Sequence, residues 1–77
     1  MIIAVDFDGT LCTNQYPQIG APNKKLFQIL INKQKAGDVI ILNTCRHGVL
    51  LEQAINFCNT NKLNFDYVNC NAEAGIE

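Results

Sequence analysis

Two short apolar runs, "IIAVD" at residues 2–6 and "DVIILNT" at residues 38–44, constrain this chain more than anything else in it. Each is continuous rather than alternating and rich in β-branched side chains, the pattern of a strand buried on both faces. Between them apolar residues fall at Leu26, Phe27, Leu30 and Ile31, with Lys24, Lys25, Gln28, Asn32, Lys33 and Lys35 opposite. That spacing predicts a helix over residues 22–36 with one buried stripe, stopped by Gly37. A second helix is predicted over 48–62, where Leu50, Leu51, Ala54, Ile55 and Cys58 share a face, and a third strand over 65–69, "FDYVN". Residues 9–21 have no helical or strand period and are expected to form a long surface loop. The order strand, helix, strand, helix, strand implies right-handed crossovers and a parallel sheet. The expected fold class is therefore α/β, a three-layer α/β/α Rossmann-like parallel sheet, here a truncated β-α-β-α-β of three strands forming one domain over residues 1–77.

Composition fits a small packed domain and narrows its partners. Hydrophobic residues make up 48% and charged residues 17% of the 77 positions, which leaves no room for a long disordered region. The formal net charge is −1 and the six basic residues are scattered, so there is no nucleic-acid signature. The four cysteines, Cys12, Cys45, Cys58 and Cys70, have neither C-x-x-C spacing nor a histidine cluster beside them, and read as reduced thiols. No apolar run approaches the roughly 20 residues needed to span a bilayer. With no leader pattern at "MIIAVDFDGT", a cytoplasmic setting is expected.

In parallel sheets of this kind, ligands bind beyond the carboxyl ends of the strands. Asp6, Asp8 and Thr44 fall at those ends. A D-x-D at a strand end also suits a turn closed by Asx hydrogen bonds, and Thr44 also suits an ordinary strand end. Taken together, "DFDGTL" after the first strand and "ILNTCR" at the end of the second resemble the first two motifs of the haloacid dehalogenase superfamily. The resemblance spans essentially the whole chain and implies a small capless phosphatase-like member, since the segment Cys12–Gly20 is too short for a cap domain.

The resemblance implies a role for each position. Asp6 is the nucleophile that attacks a phosphoryl group, and Asp8 is the general acid and base. Magnesium is the implied cofactor, held by Asp6 and Asp8, the latter through its backbone carbonyl, and it offsets the charge of phosphate meeting carboxylate. The phosphate of a phosphorylated substrate would be met by Gly9, whose turn brings amides close, by Thr10, which would also orient Asp8, and by Thr44, with Cys45 opening a helix whose N-terminal amides favour an anion. Arg46, outside the family's invariant machinery, could add a charge to that phosphate site as a specificity candidate. His47 is a further specificity candidate.

The chain also departs from that pattern. The family's later lysine and the acidic pair that completes its magnesium site have no counterpart, because no two carboxylates are adjacent in this sequence. Of the other acids, Asp38, Glu52, Asp66, Glu73 and Glu77, Glu73 is the least poorly placed. The family's fourth strand would lie beside the first, so the first strand is expected to leave an open edge through which the protein could self-associate. The expectation is a magnesium-dependent phosphohydrolase that is weak or inactive as this truncated chain. The alternative is a non-catalytic module that binds magnesium and phosphate or pairs with another copy.

Overall fold

The structure, a computed structural model, describes residues 1–69. Cys70, Glu73 and Glu77 lie outside the described residues. Within them the chain runs β1 (Ile2–Asp6), β2 (Cys12–Gln15), β3 (Gln18–Pro22), α1 (Lys24–Lys35), β4 (Val39–Asn43), α2 (Gly48–Thr60) and β5 (Tyr67–Val68). The fold is a small α/β arrangement with a parallel three-stranded sheet in the order β1-β4-β5 and two helices.

Register explains how two continuous apolar runs share one core. Ile3 pairs with Ile40 and Val5 with Leu42, so these four side chains stand on the same face of the sheet. They belong to a single apolar cluster with Phe27 and Leu30 of α1, Ala54 and Cys58 of α2, and Leu63. The Phe27 and Phe57 rings meet edge-on with centroids 6.2 Å apart, so α1 and α2 lie side by side on that face. The expected α/β class and parallel three-stranded sheet are present, and among the described residues both helices lie on one face of that sheet. The reason is topological, because right-handed crossovers that step from β1 to β4 to β5 in one direction lay every helix on the same side.

Local signals set the helix ends. The Asn23 side chain accepts a hydrogen bond from the Leu26 amide at 3.2 Å and starts α1. Lys33 and Lys35 lie in its last turn, where cations oppose the carbonyl end of the dipole, and Gly37 follows at φ +105°. Asp66 joins β5 to the sheet: its carboxylate accepts from the Ile40 amide at 2.8 Å and from Gln34 Nε2 at 3.1 Å. The third strand is shorter than expected, two residues instead of five: Phe65, Asp66 and Asn69 lie outside it, although the Asp66 amide donates to Ile40 O at 2.9 Å and the Asn69 amide to Leu42 O at 2.7 Å.

The segment expected as a surface loop is a β-hairpin. β2 and β3 pair antiparallel, with Asn14 opposite Ile19 and Gln15 opposite Gln18, through a turn at Tyr16 and Pro17. Leu11 and Cys12 at its base are buried in the core cluster, while most of its strand residues are exposed. On the sheet, β1 is paired with β4 alone among the described residues, and Ile2 is 53% exposed. No helix among the described residues is long and apolar enough to cross a membrane.

Candidate functional site

β1 and β4 run parallel in register to Asp6 opposite Asn43, so the two strands end together and the chain leaves both at one place. A cavity of about 200 Å³ opens there, lined by Asp6, Phe7, Asp8, Asn43, Thr44 and Cys45. This is the position expected for a ligand at the carboxyl edge of a parallel sheet. Asp6 is exposed, and its carboxylate makes no hydrogen bond or ion pair to any described residue. Thr44 is fixed by two contacts: its amide donates to Asn69 Oδ1 at 2.7 Å, and its Oγ1 accepts from the Arg46 amide at 3.1 Å. The hydroxyl proton of Thr44 stays available for an acceptor in the cavity.

Asp8 is held differently. Arg46 Nε and Nη2 each donate to one of its carboxylate oxygens at 2.8 Å, a bidentate fork. Arg46 is 1% exposed, and its remaining contacts go to the hairpin: Nη1 donates to Pro17 O at 3.2 Å and Nη2 to Gln18 O at 3.1 Å. Its guanidinium carbon lies 5.0 Å from the ring centroids of both Phe7 and Tyr16. Hydrogen bonding to Asp8, opposed by burial, pushes the Arg46 pKa above its ordinary value, so the side chain is a permanent cation.

The residues singled out in the sequence therefore separate into three places. Asp6, Asp8, Thr44 and Cys45 share the cavity. Gly9 and Thr10 line a neighbouring cavity with Cys12, Thr13, Ala21, Pro22 and Asn23, on the hairpin side of the turn. The Gly9 amide donates to Cys12 O at 2.9 Å and the Thr10 amide to Phe7 O at 3.1 Å, so both close the turn rather than face the strand ends. Gly9 has φ +84°, a conformation that favours glycine. Arg46 lies beneath the site rather than in it, and it is Arg46 that orients Asp8. His47 caps α2 in an extended conformation without a side-chain cap bond, its Nδ1 3.2 Å from Cys45 O.

Two features escaped the sequence reading: Asn43 as a wall of the cavity and Asn69 as the group that fixes Thr44. Asn43 was visible as the last residue of an apolar run. Asn69 acts from the bend just past β5, and no local pattern reveals that this bend meets Thr44.

Magnesium binds through one or two carboxylates and takes its other ligands from water and phosphate. In this cavity the Asp6 carboxylate is the side-chain donor that no described residue binds. The Asp8 carboxylate is committed to Arg46, and among the described residues no group of three or more His, Cys, Asp or Glu is placed to hold a metal ion. Asp38 and Asp66 lie toward the opposite end of the sheet, beside Met1 and Ile40.

No protein-family profile matches the chain, and no curated protein matches it. It is similar to a solved structure of a conserved protein coded by a locus of Bacteroides thetaiotaomicron, with 35% sequence identity and a TM-score of 0.88. The match covers 100% of this chain and 66% of that one. The likeness extends the same strand and helix arrangement to a second protein.

Proposed function

We propose that this is a phosphoryl-transfer site, a magnesium-dependent phosphohydrolase of the haloacid dehalogenase type acting on a phosphate ester through an aspartyl-phosphate. The observation that carries the reading is the contrast between its two aspartates: the Asp6 carboxylate in the cavity is bound by none of the described residues, whereas Asp8, two residues on, is oriented by a bidentate cation. A nucleophile needs an uncommitted oxygen, and a proton-transfer group needs a fixed position. In this reading an Asp6 oxygen attacks phosphorus and the bond to the leaving oxygen breaks. Asp8, after one of its oxygens leaves Arg46 and takes up a proton from solvent, passes that proton to the leaving oxygen and later takes one from the water that cleaves the aspartyl-phosphate. The Thr44 hydroxyl donates to a phosphoryl oxygen, and the amides at the start of α2 add donors beside it. Bound magnesium would supply positive charge between the Asp6 carboxylate and the phosphate.

The test is hydrolysis of an aryl phosphate with magnesium by the parent chain and by Asp6→Asn. Turnover that the substitution lowers by about three orders of magnitude or more supports the reading. Equal turnover by both removes Asp6 as nucleophile.

A second reading is favoured by the commitment of the Asp8 carboxylate to Arg46 and by the small number of metal donors among the described residues. In it the same cavity binds magnesium and phosphate without turnover. Magnesium-dependent phosphate binding with no hydrolysis by either protein would select it.

A further inference from the structure

Arg46 joins three stretches of chain that are far apart in sequence. Its own strand-end turn supplies it, residues 7 and 8 receive it through the Asp8 carboxylate and the Phe7 ring, and the hairpin receives it through the Pro17 and Gln18 carbonyls and the Tyr16 ring. Its side chain has no exposed surface, so these contacts are made without competition from water. Asp8 itself makes no hydrogen bond to the hairpin turn, and the hairpin strands have few buried apolar residues to hold them down.

We propose that Arg46 is a positioning residue that ties Asp8 and the Tyr16–Gln18 turn into one unit, so that the tip of the hairpin is held in place only while the Asp8–Arg46 pair is intact. The fork geometry matters as much as the charge. A guanidinium serves two carboxylate oxygens and two carbonyls at once from one plane, which an ammonium cannot do. The consequence for turnover rests on the phosphoryl-transfer reading above: a loosened pair leaves Asp8 misaligned, which lowers kcat while the KM of a small aryl phosphate stays nearly constant. The consequence for the hairpin does not depend on that reading.

Hydrogen exchange followed by NMR tests the link directly. The Asp8 backbone bridges to Cys12 at the hairpin base, so the readout is the far end: in Asp8→Asn, whose side chain does not touch the turn, the amides of residues 15–19 should exchange about tenfold faster relative to those of Ala54 and Cys58 in α2. Arg46→Lys should loosen them similarly even though the charge remains. If hairpin exchange is unchanged in a folded Asp8→Asn or Arg46→Lys protein, the link is refuted, whatever the turnover. Should both variants fail to fold, the parent still decides: a slowly exchanging Arg46 Nε–H with nuclear Overhauser contacts to the Tyr16 ring supports the link, and a fast one with no such contact overturns it. Loss of activity in Asp6→Asn bears on the site reading alone, so the two claims fail separately.

Discussion

The Asp8 carboxylate and the Arg46 guanidinium, 38 residues apart in sequence, meet through two hydrogen bonds of 2.8 Å, with no surface of the Arg46 side chain exposed. Two charges this close strengthen one another only as a pair. Removing Asp8 leaves the guanidinium buried without compensation, which typically costs about 3–5 kcal/mol, whereas removing Arg46 leaves a carboxylate whose side chain is 20% exposed.

Asp8→Ala is therefore expected to lower stability by about 3 kcal/mol, a large share of what a domain of this size possesses. The double variant Asp8→Ala with Arg46→Met should be less destabilised than the sum of its single changes, because neither charge is left alone. Urea denaturation of the four proteins measures this, and additive losses would show that the pair is not coupled.

Phe57 joins both helices to the strand end: its ring meets Phe7 at 5.8 Å and Phe27 at 6.2 Å, both edge-on. Phe57→Ala should cost about 3 kcal/mol, within the range for deleting a packed aromatic ring. The same denaturation experiment measures it. A loss below about 0.5 kcal/mol would mean that the helices are not held by this ring.

The hairpin admits a side chain at position 20 only by moving. A Cβ on Gly20 would overlap Thr13 Oγ1 and Thr13 O on the facing strand. Gly20→Ala should displace β3 from β2 and shift the amide resonances of residues 12–22 while leaving those of β4 in place. Unchanged hairpin resonances would contradict the pairing of these strands.

Burial pushes the Cys58 thiol up to about 12, with Cys12 adding to the shift. The unfolded chain loses this proton near the ordinary thiol value of about 8.5, while the folded chain keeps it. Stability is therefore fully present below about pH 8.5 and falls as pH rises toward 12, by at most about 1.4 kcal/mol per pH unit from this one group. Cys58→Ala should flatten that slope in denaturation curves taken across the window, and an equal slope in both proteins would refute the assignment. In the folded parent at pH 8, iodoacetamide should label the exposed Cys45 and spare Cys12 and Cys58, which are buried.

The sheet and the helices were legible because their signals are local. The residues of β1 and β4 form unbroken apolar runs, and α1 shows a buried stripe beginning beside an Asn cap and ending before Gly37. The hairpin was not legible, since "CTNQ" and "QIGAP" bury few residues and show no alternation to mark them as strands. Strand-end position was enough to bring Asp6 and Thr44 to one cavity. It could not reveal where Arg46 points, because its partner is set by the fold: the residue stood out as a phosphate ligand from its neighbours in sequence, yet its guanidinium turns inward to Asp8 and the hairpin carbonyls.

The central claim is that Asp6 accepts a phosphoryl group. Beryllium fluoride with magnesium forms an acyl-phosphate-like adduct on such a carboxylate, and fluorine-19 NMR detects the bound species without requiring turnover. The account predicts protein-bound fluoride resonances for the parent chain that depend on magnesium and vanish in Asp6→Asn. Bound resonances that persist in Asp6→Asn, or none in the folded parent with magnesium present, would contradict it.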